Sequence, residues 1–167
     1  FVSRFQQIFF AADLRSLDPP LPTAMNLNAD STAFEWDCDL LVVGSGAGAL
    51  STAVTAAHLG LKVLVVEKDP HYGGTTAWSG GWMWIPRNHL ALKGGIAEPI
   101  EKPLSYLRHE LGEQFDEVRI RTFLRHGPRM LRFFEAQTAL QFIDGNGIPD
   151  FHGRTNDSVL GGRSVCA

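Results

Sequence analysis

The chain has 167 residues, 44% of them hydrophobic, which is enough for one ordinary domain with a core of its own. Its 15 Lys and Arg stand against 18 Asp and Glu for a formal charge of -3, and they are scattered among acids, which argues against nucleic acid as a partner. Cys38 and Cys166 lie far apart without a Cys-x-x-Cys, so neither a disulfide framework nor a zinc site is indicated, and a reducing compartment, the cytoplasm, is expected.

In chain order, the first apolar run, Ile8 to Ala12, ends at Asp13 and is too short for a signal peptide or a membrane span. Residues 13–33 carry Pro19, Pro20 and Pro22 and little periodicity. Residues 1–36 are therefore expected to be a disordered leader, with the true start at Met25, and both ends of the chain read as cut. From Asp39 the character changes. Leu40-Leu41-Val42-Val43 is wholly apolar and ends in glycine, as a parallel strand buried on both faces does. The Ala-rich segment from Gly48 to Leu59 predicts a helix closed by Gly60. Val63-Leu64-Val65-Val66 predicts a second strand, so residues 39–67 make a right-handed βαβ unit.

Residues 70–95 contain the pairs Gly73-Gly74, Gly80-Gly81 and Gly94-Gly95 and show no period, which predicts a long loop of special backbone geometry. Leu104, Leu107 and Leu111 share a helical face. Val118, Phe123 and Leu124 suggest a second helix, and Gly127-Pro128 the start of a third, because proline suits the first helical position. Leu140-Gln141-Phe142 alternates like a short strand, and residues 144–163 return to loop. The fold class is α/β, without internal repeats.

The chemistry begins at Gly44-Ser45-Gly46-Ala47-Gly48-Ala49, a G-x-G-x-x-A set between strand and helix, where a Rossmann-like dinucleotide site needs it. Gly44 supplies the tight turn. Gly46 removes the side chain that would block a pyrophosphate, which then meets the amides at the helix start. Glu67 ends the second strand 23 positions after Gly44, where a carboxylate accepts from an adenosine ribose. Lys68 beside it either flanks the adenine or is a surface lysine.

The stretch from Glu67 through Gly73-Gly74-Thr75-Thr76-Ala77-Trp78-Ser79-Gly80-Gly81 resembles the flavin loop of the fumarate reductase and 3-ketosteroid dehydrogenase superfamily. With Trp84-Ile85-Pro86-Arg87-Asn88 the resemblance narrows to the ketosteroid dehydrogenase branch, and it covers residues 37–165. It implies FAD, with Gly74, Thr75 and Thr76 on the phosphates and Ser79, Gly80 and Gly81 by the isoalloxazine. It further implies that residues 37–167 are the amino-terminal part of a discontinuous FAD-binding domain, an incomplete doubly wound fold. The implied partners are a hydrophobic, steroid-like carbonyl substrate and an electron acceptor or donor. Trp78, Trp82 and Trp84 shield the flavin, shape an apolar substrate cavity or, as large aromatics more often do, simply pack.

The six histidines lack ligand spacing, and no metal is expected. No catalytic residue is assigned: Tyr72 and Tyr106 are the only tyrosines, and Phe151 follows Pro149-Asp150 where the resembling dehydrogenases carry a tyrosine. Two readings stay open, an FAD-dependent dehydrogenase or reductase of which this is a portion, and a non-catalytic truncated product unable to fold or bind FAD alone.

Overall fold

A computed structural model describes residues 36–167 and the backbone of a strand at Ile8–Ala11. The chain divides into two compact units, Phe1–Ser79 and Gly80–Ala167. In the first, β1 (Ile8–Ala11), β2 (Leu40–Val43) and β3 (Val63–Glu67) form a sheet of order β1-β3-β2. The β2 and β3 strands run parallel, with Leu40 opposite Val63 and Val43 opposite Val66. They are joined by α1 (Ala47–His58), which packs on both through the small residues Ala53 and Ala56. The helix stops where the sequence says it should. Gly60 is left-handed at φ 89, its N–H donates to Ala57 O, and the Leu61 N–H reaches back to Ala56 O, the paired bonds of a Schellman closure.

Two features depart from the sequence reading. Ile8–Ala11, read as part of a disordered leader, is a strand antiparallel to β3, pairing Ile8 with Glu67 and Ala11 with Leu64. An apolar four-residue run satisfies the unpaired backbone groups that an edge strand offers. The rest of that leader, Met25 included, lies outside the described residues. Secondly, β2 is buried on one face only: Val42 is 7% exposed, but Leu41 is 53% and Val43 77% exposed. Such an open apolar sheet face favours association. The chain expressed by itself is expected to self-associate, and Leu41→Thr with Val43→Thr to reduce this. Sedimentation velocity checks it, and a monomeric wild-type chain would remove the sheet face as a cause.

In the second unit β4 (Trp82–Trp84), β5 (Ile143–Gly145) and β6 (Ser164–Cys166) form an antiparallel sheet of order β4-β6-β5. Around it lie α3 (His89–Lys93), α4 (Glu101–Leu111) and α5 (Glu117–Gln137). Leu104, Tyr106, Leu124, Leu131, Phe134 and Val165 are buried here. The expected break at Gly127-Pro128 is absent, and α5 runs through both residues. Pro128 forfeits one helical hydrogen bond, but burial of Leu124, Leu131 and Phe134 holds the helix on either side. Gly127 brings the backbone so near Ile85 that a Cβ there would stand 3.1 Å from Ile85 Cγ2.

The presumed loop 70–95 also contains structure: α2 (Gly74–Ala77), β4 and α3. Asn88 caps α3 by accepting from the Ala91 N–H. The strand expected at 140–142 lies at 143–145, where β6 supplies its partner. Among the described residues no helix is long and apolar enough to cross a membrane.

Candidate functional site

In the first unit the βα turn and the loop after β3 are tied together by side chains. Gly44 follows β2 with φ 95, a left-handed conformation that favours glycine, and its N–H donates to Val66 O at 2.7 Å. Ser45 is 3% exposed. Its hydroxyl donates to Glu67 Oε2 at 2.5 Å and accepts the Gly73 N–H at 2.8 Å, joining turn, strand end and loop in one chain of bonds. The other Glu67 oxygen accepts the Asp69 N–H at 3.0 Å. Asp69 in turn accepts from His71 N–H, forming the tight turn that brings the chain to Gly73. Gly73, at φ 110, could not be another residue, since a Cβ would stand 2.7 Å from Ala77 Cβ.

Gly46 and Gly74 face one another. A Cβ on Gly74 would lie 3.5 Å from both Cα and N of Gly46, and one on Gly46 would lie 3.8 Å from Thr76 Oγ1. Both backbones are thereby bared where α1 begins. Thr76 Oγ1 accepts the Ala47 N–H at 3.1 Å, so this hydroxyl sits where a phosphate oxygen would meet the helix. It keeps its own proton to donate, and can pass the polarity of the helix start on to an anion. Nothing lies within 4 Å of where a Cβ on Gly44 or Gly48 would be, so the turn and first helical residues are open to a ligand. This bare, amide-rich cradle with a carboxylate at the adjoining strand end fits a dinucleotide.

The carboxyl of Glu67 is held below the ordinary glutamate range, first by the Ser45 hydroxyl and then by the Asp69 amide. A carboxylate whose value is lowered on folding contributes stability above the unfolded value and loses it as pH falls through the folded one. Ser45→Ala is expected to move the Glu67 titration to higher pH, as read by carboxyl carbon NMR. An unmoved titration would show that Ser45 does not hold the charge.

The structure gathers Gly44, Ser45, Gly46, Ala47, Gly48, Glu67, Lys68, Gly74, Thr75, Thr76 and Ser79 in the first unit. Lys68 and Thr75 are exposed, and the Ser79 hydroxyl donates to Thr76 O at 2.8 Å. Gly80 and Gly81 belong to the second unit, where Gly81, at φ 75, leaves only 3.1 Å between a would-be Cβ and Cys166 Sγ. Sequence reasoning missed Gly73 as the pivot of the loop; the doubled glycine was its only local signal.

Of the tryptophans in the 70–95 stretch, Trp84 packs, stacking with Phe123 at 6.3 Å and lying 5.8 Å from Tyr106, while Trp78 is 92% exposed. Tyr106 is buried, and burial followed by the nearby Asp150 raises its hydroxyl's pKa. It therefore stays protonated and suits packing better than proton transfer. Phe151 is 99% exposed, whereas Asp150 before it is buried. No group of three or more His, Cys, Asp and Glu that could hold a metal occurs among the described residues.

Comparison with known proteins places this geometry. The model of the FAD binding domain family matches residues 39–165. A 3-oxosteroid 1-dehydrogenase of Mycobacterium tuberculosis is 42% identical over 127 residues, which are 76% of this chain and 23% of that protein. A 4-oxocyclohex-2-ene-1-carboxylate 5-dehydrogenase of Sinomonas cyclohexanicum is 38% identical over 128 residues, 77% of this chain and 21% of that protein. Among solved structures, 3-ketosteroid delta1-dehydrogenase from Sterolibacterium denitrificans in complex with 1,4-androstadiene-3,17-dione superposes with a TM-score of 0.71 at 38% identity, covering 77% of this chain and 22% of that one. The chain thus spans less than a quarter of the length of either of these two curated relatives. With the strand, glycine turn, helix and strand-end carboxylate in the order a dinucleotide site requires, the chain belongs to the FAD binding domain family and its cofactor is FAD.

Proposed function

We propose that this chain is the FAD-binding portion of a flavin-dependent dehydrogenase acting on a hydrophobic cyclic ketone. The observation that carries the reading is the single bonded unit of Ser45, Glu67 and Gly73 beside the facing backbones of Gly46 and Gly74. Gly44, Gly46, Ala47 and Gly48 would present backbone to the pyrophosphate. Glu67 would accept from the ribose, with Lys68 flanking the adenine. Gly74, Thr75 and Thr76 would contact the phosphates, and Ser79, Gly80 and Gly81 would line the ring. Bound FAD supplies a two-electron acceptor. The free thiols of Cys38 and Cys166 accord with work in the cytoplasm.

The substrate class is narrowed by what the relatives' names share, an oxo group on an alicyclic ring. A steroid is one member, but Phe151 has no hydroxyl to lend to a proton-transfer network. The dehydrogenase carrying this chain is expected to turn over simple 3-ketosteroids slowly and to prefer another bulky ketone or enone. Dye reduction with a panel of 3-ketosteroids and oxocyclohexane carboxylates tests this. Steroid turnover in the usual enzyme range, about 1 to 1,000 per second, would contradict it, and Phe151→Tyr is expected to raise whatever steroid activity exists.

A further inference from the structure

The second unit carries a cleft of ≈ 330 Å³ whose lining includes four arginines, Arg87 and the α5 residues Arg125, Arg129 and Arg132. The last three are spaced i, i+4, i+7, so they share one helix face and repel one another. None of the four has an ion-pair partner among the described residues, although acids are available elsewhere on α5: Glu117 pairs with Arg108 and Arg121, and Glu135 with His89. The one carboxylate in the cleft, Glu98, already has both oxygens on Arg163. A chain with a net charge of -3 thus gathers uncompensated positive charge at one place.

One further observation, in the backbone, marks this place. Arg87 adopts φ 62, a left-handed conformation unusual for a residue other than glycine, and such outliers cluster where a ligand is held. Leu124 and Pro128, both buried, also line the cleft, while Arg125, Arg129 and Arg132 are themselves exposed. Its volume is that of a small-molecule site, too small for a protein segment. Guanidinium forks match phosphate oxygens two at a time.

We propose that this cleft binds a small anion carrying two or more linked phosphate groups. The inference is independent of the FAD reading, because every residue in it lies in the second unit. The linked phosphates could be inorganic or the tail of a nucleotide, and the two differ in whether a nucleoside adds affinity.

Isothermal titration of the FAD-loaded dehydrogenase with inorganic tripolyphosphate, ADP and citrate, at physiological ionic strength, is the test. Saturable tripolyphosphate binding is expected, with citrate weaker and Arg125→Gln with Arg129→Gln weakening it about tenfold or more at unchanged circular dichroism. Arg132→Gln serves as a milder second variant with a smaller loss. Tighter ADP than tripolyphosphate binding would assign the nucleotide source, and equal or weaker binding the inorganic one. Absence of saturable binding would overturn the proposal. So would affinity indifferent to the arginine variants, or affinity lost in Gly46→Val instead, which would place the phosphates in the FAD cradle.

Discussion

Arg163→Leu is expected to destabilise the unit of residues 80–167 by about 3–5 kcal/mol, the usual cost of leaving buried charges without their partner. The Arg163 side chain is 1% exposed, and its guanidinium lies 2.7 Å from both Glu98 Oε2 and Asp150 Oδ2. Those carboxylates are themselves 10% and 2% exposed. Asp150 is further engaged by the Trp84 indole N–H at 2.7 Å and the Val159 N–H at 3.0 Å. The guanidinium also lies 5.7 Å from the Trp84 ring and 5.4 Å from that of Tyr106. One side chain therefore ties the end of the chain to the loop before α4, to the 150s loop and to β4. Arg163→Lys keeps the charge but loses the fork, and should recover only part of the stability. Adding Glu98→Gln and Asp150→Asn to Arg163→Leu removes the orphaned charges and should restore some of the loss. Urea unfolding reads all of these, and an Arg163→Leu midpoint equal to wild type would show that the network stabilises nothing.

Glu67→Ala is expected to weaken FAD binding about 10- to 150-fold, the range for loss of a hydrogen-bond acceptor that is ionised. It removes the ribose acceptor and also the partner of the Ser45 hydroxyl, so the Gly73 loop loses an anchor as well. Gly46→Val should be worse. A bare Cβ there meets only Thr76 Oγ1 at 3.8 Å and Gly73 O at 4.0 Å, but the two valine methyls would extend into the space between the facing backbones. Fluorescence titration with FAD measures both, and wild-type affinity in either variant would remove that residue from the site.

What the sequence disclosed is what local chemistry determines. The strands at Leu40–Val43 and Val63–Glu67, the helix between them and its end at Gly60 follow from apolar runs, alanine content and a glycine at a left-handed position. The glycine turn and Glu67 were legible for the same reason, since their spacing is dictated by one βαβ unit. What was hidden depends on distant partners. Pro128 marks a helix start in isolation, but Ile85 and the buried face of α5 carry the helix through it. The strand β5 shifts by three residues because β6 fixes its register, and β1 exists only against β3. Thr76 looked like a phosphate donor, and its bond to the Ala47 amide depends on a loop closure that Ser45 and Gly73 make. Arg163, Asp150 and Glu98 are unremarkable charges along the chain and become a network only when folded.

Whether residues 39–79 hold FAD is tested most directly by the flavin content of the purified protein that carries them. A yellow protein with about one FAD per chain is expected, binding FAD in preference to NAD or FMN when stripped and titrated. A colourless protein that takes up no FAD on refolding, or one that takes NAD or FMN as readily, would contradict it.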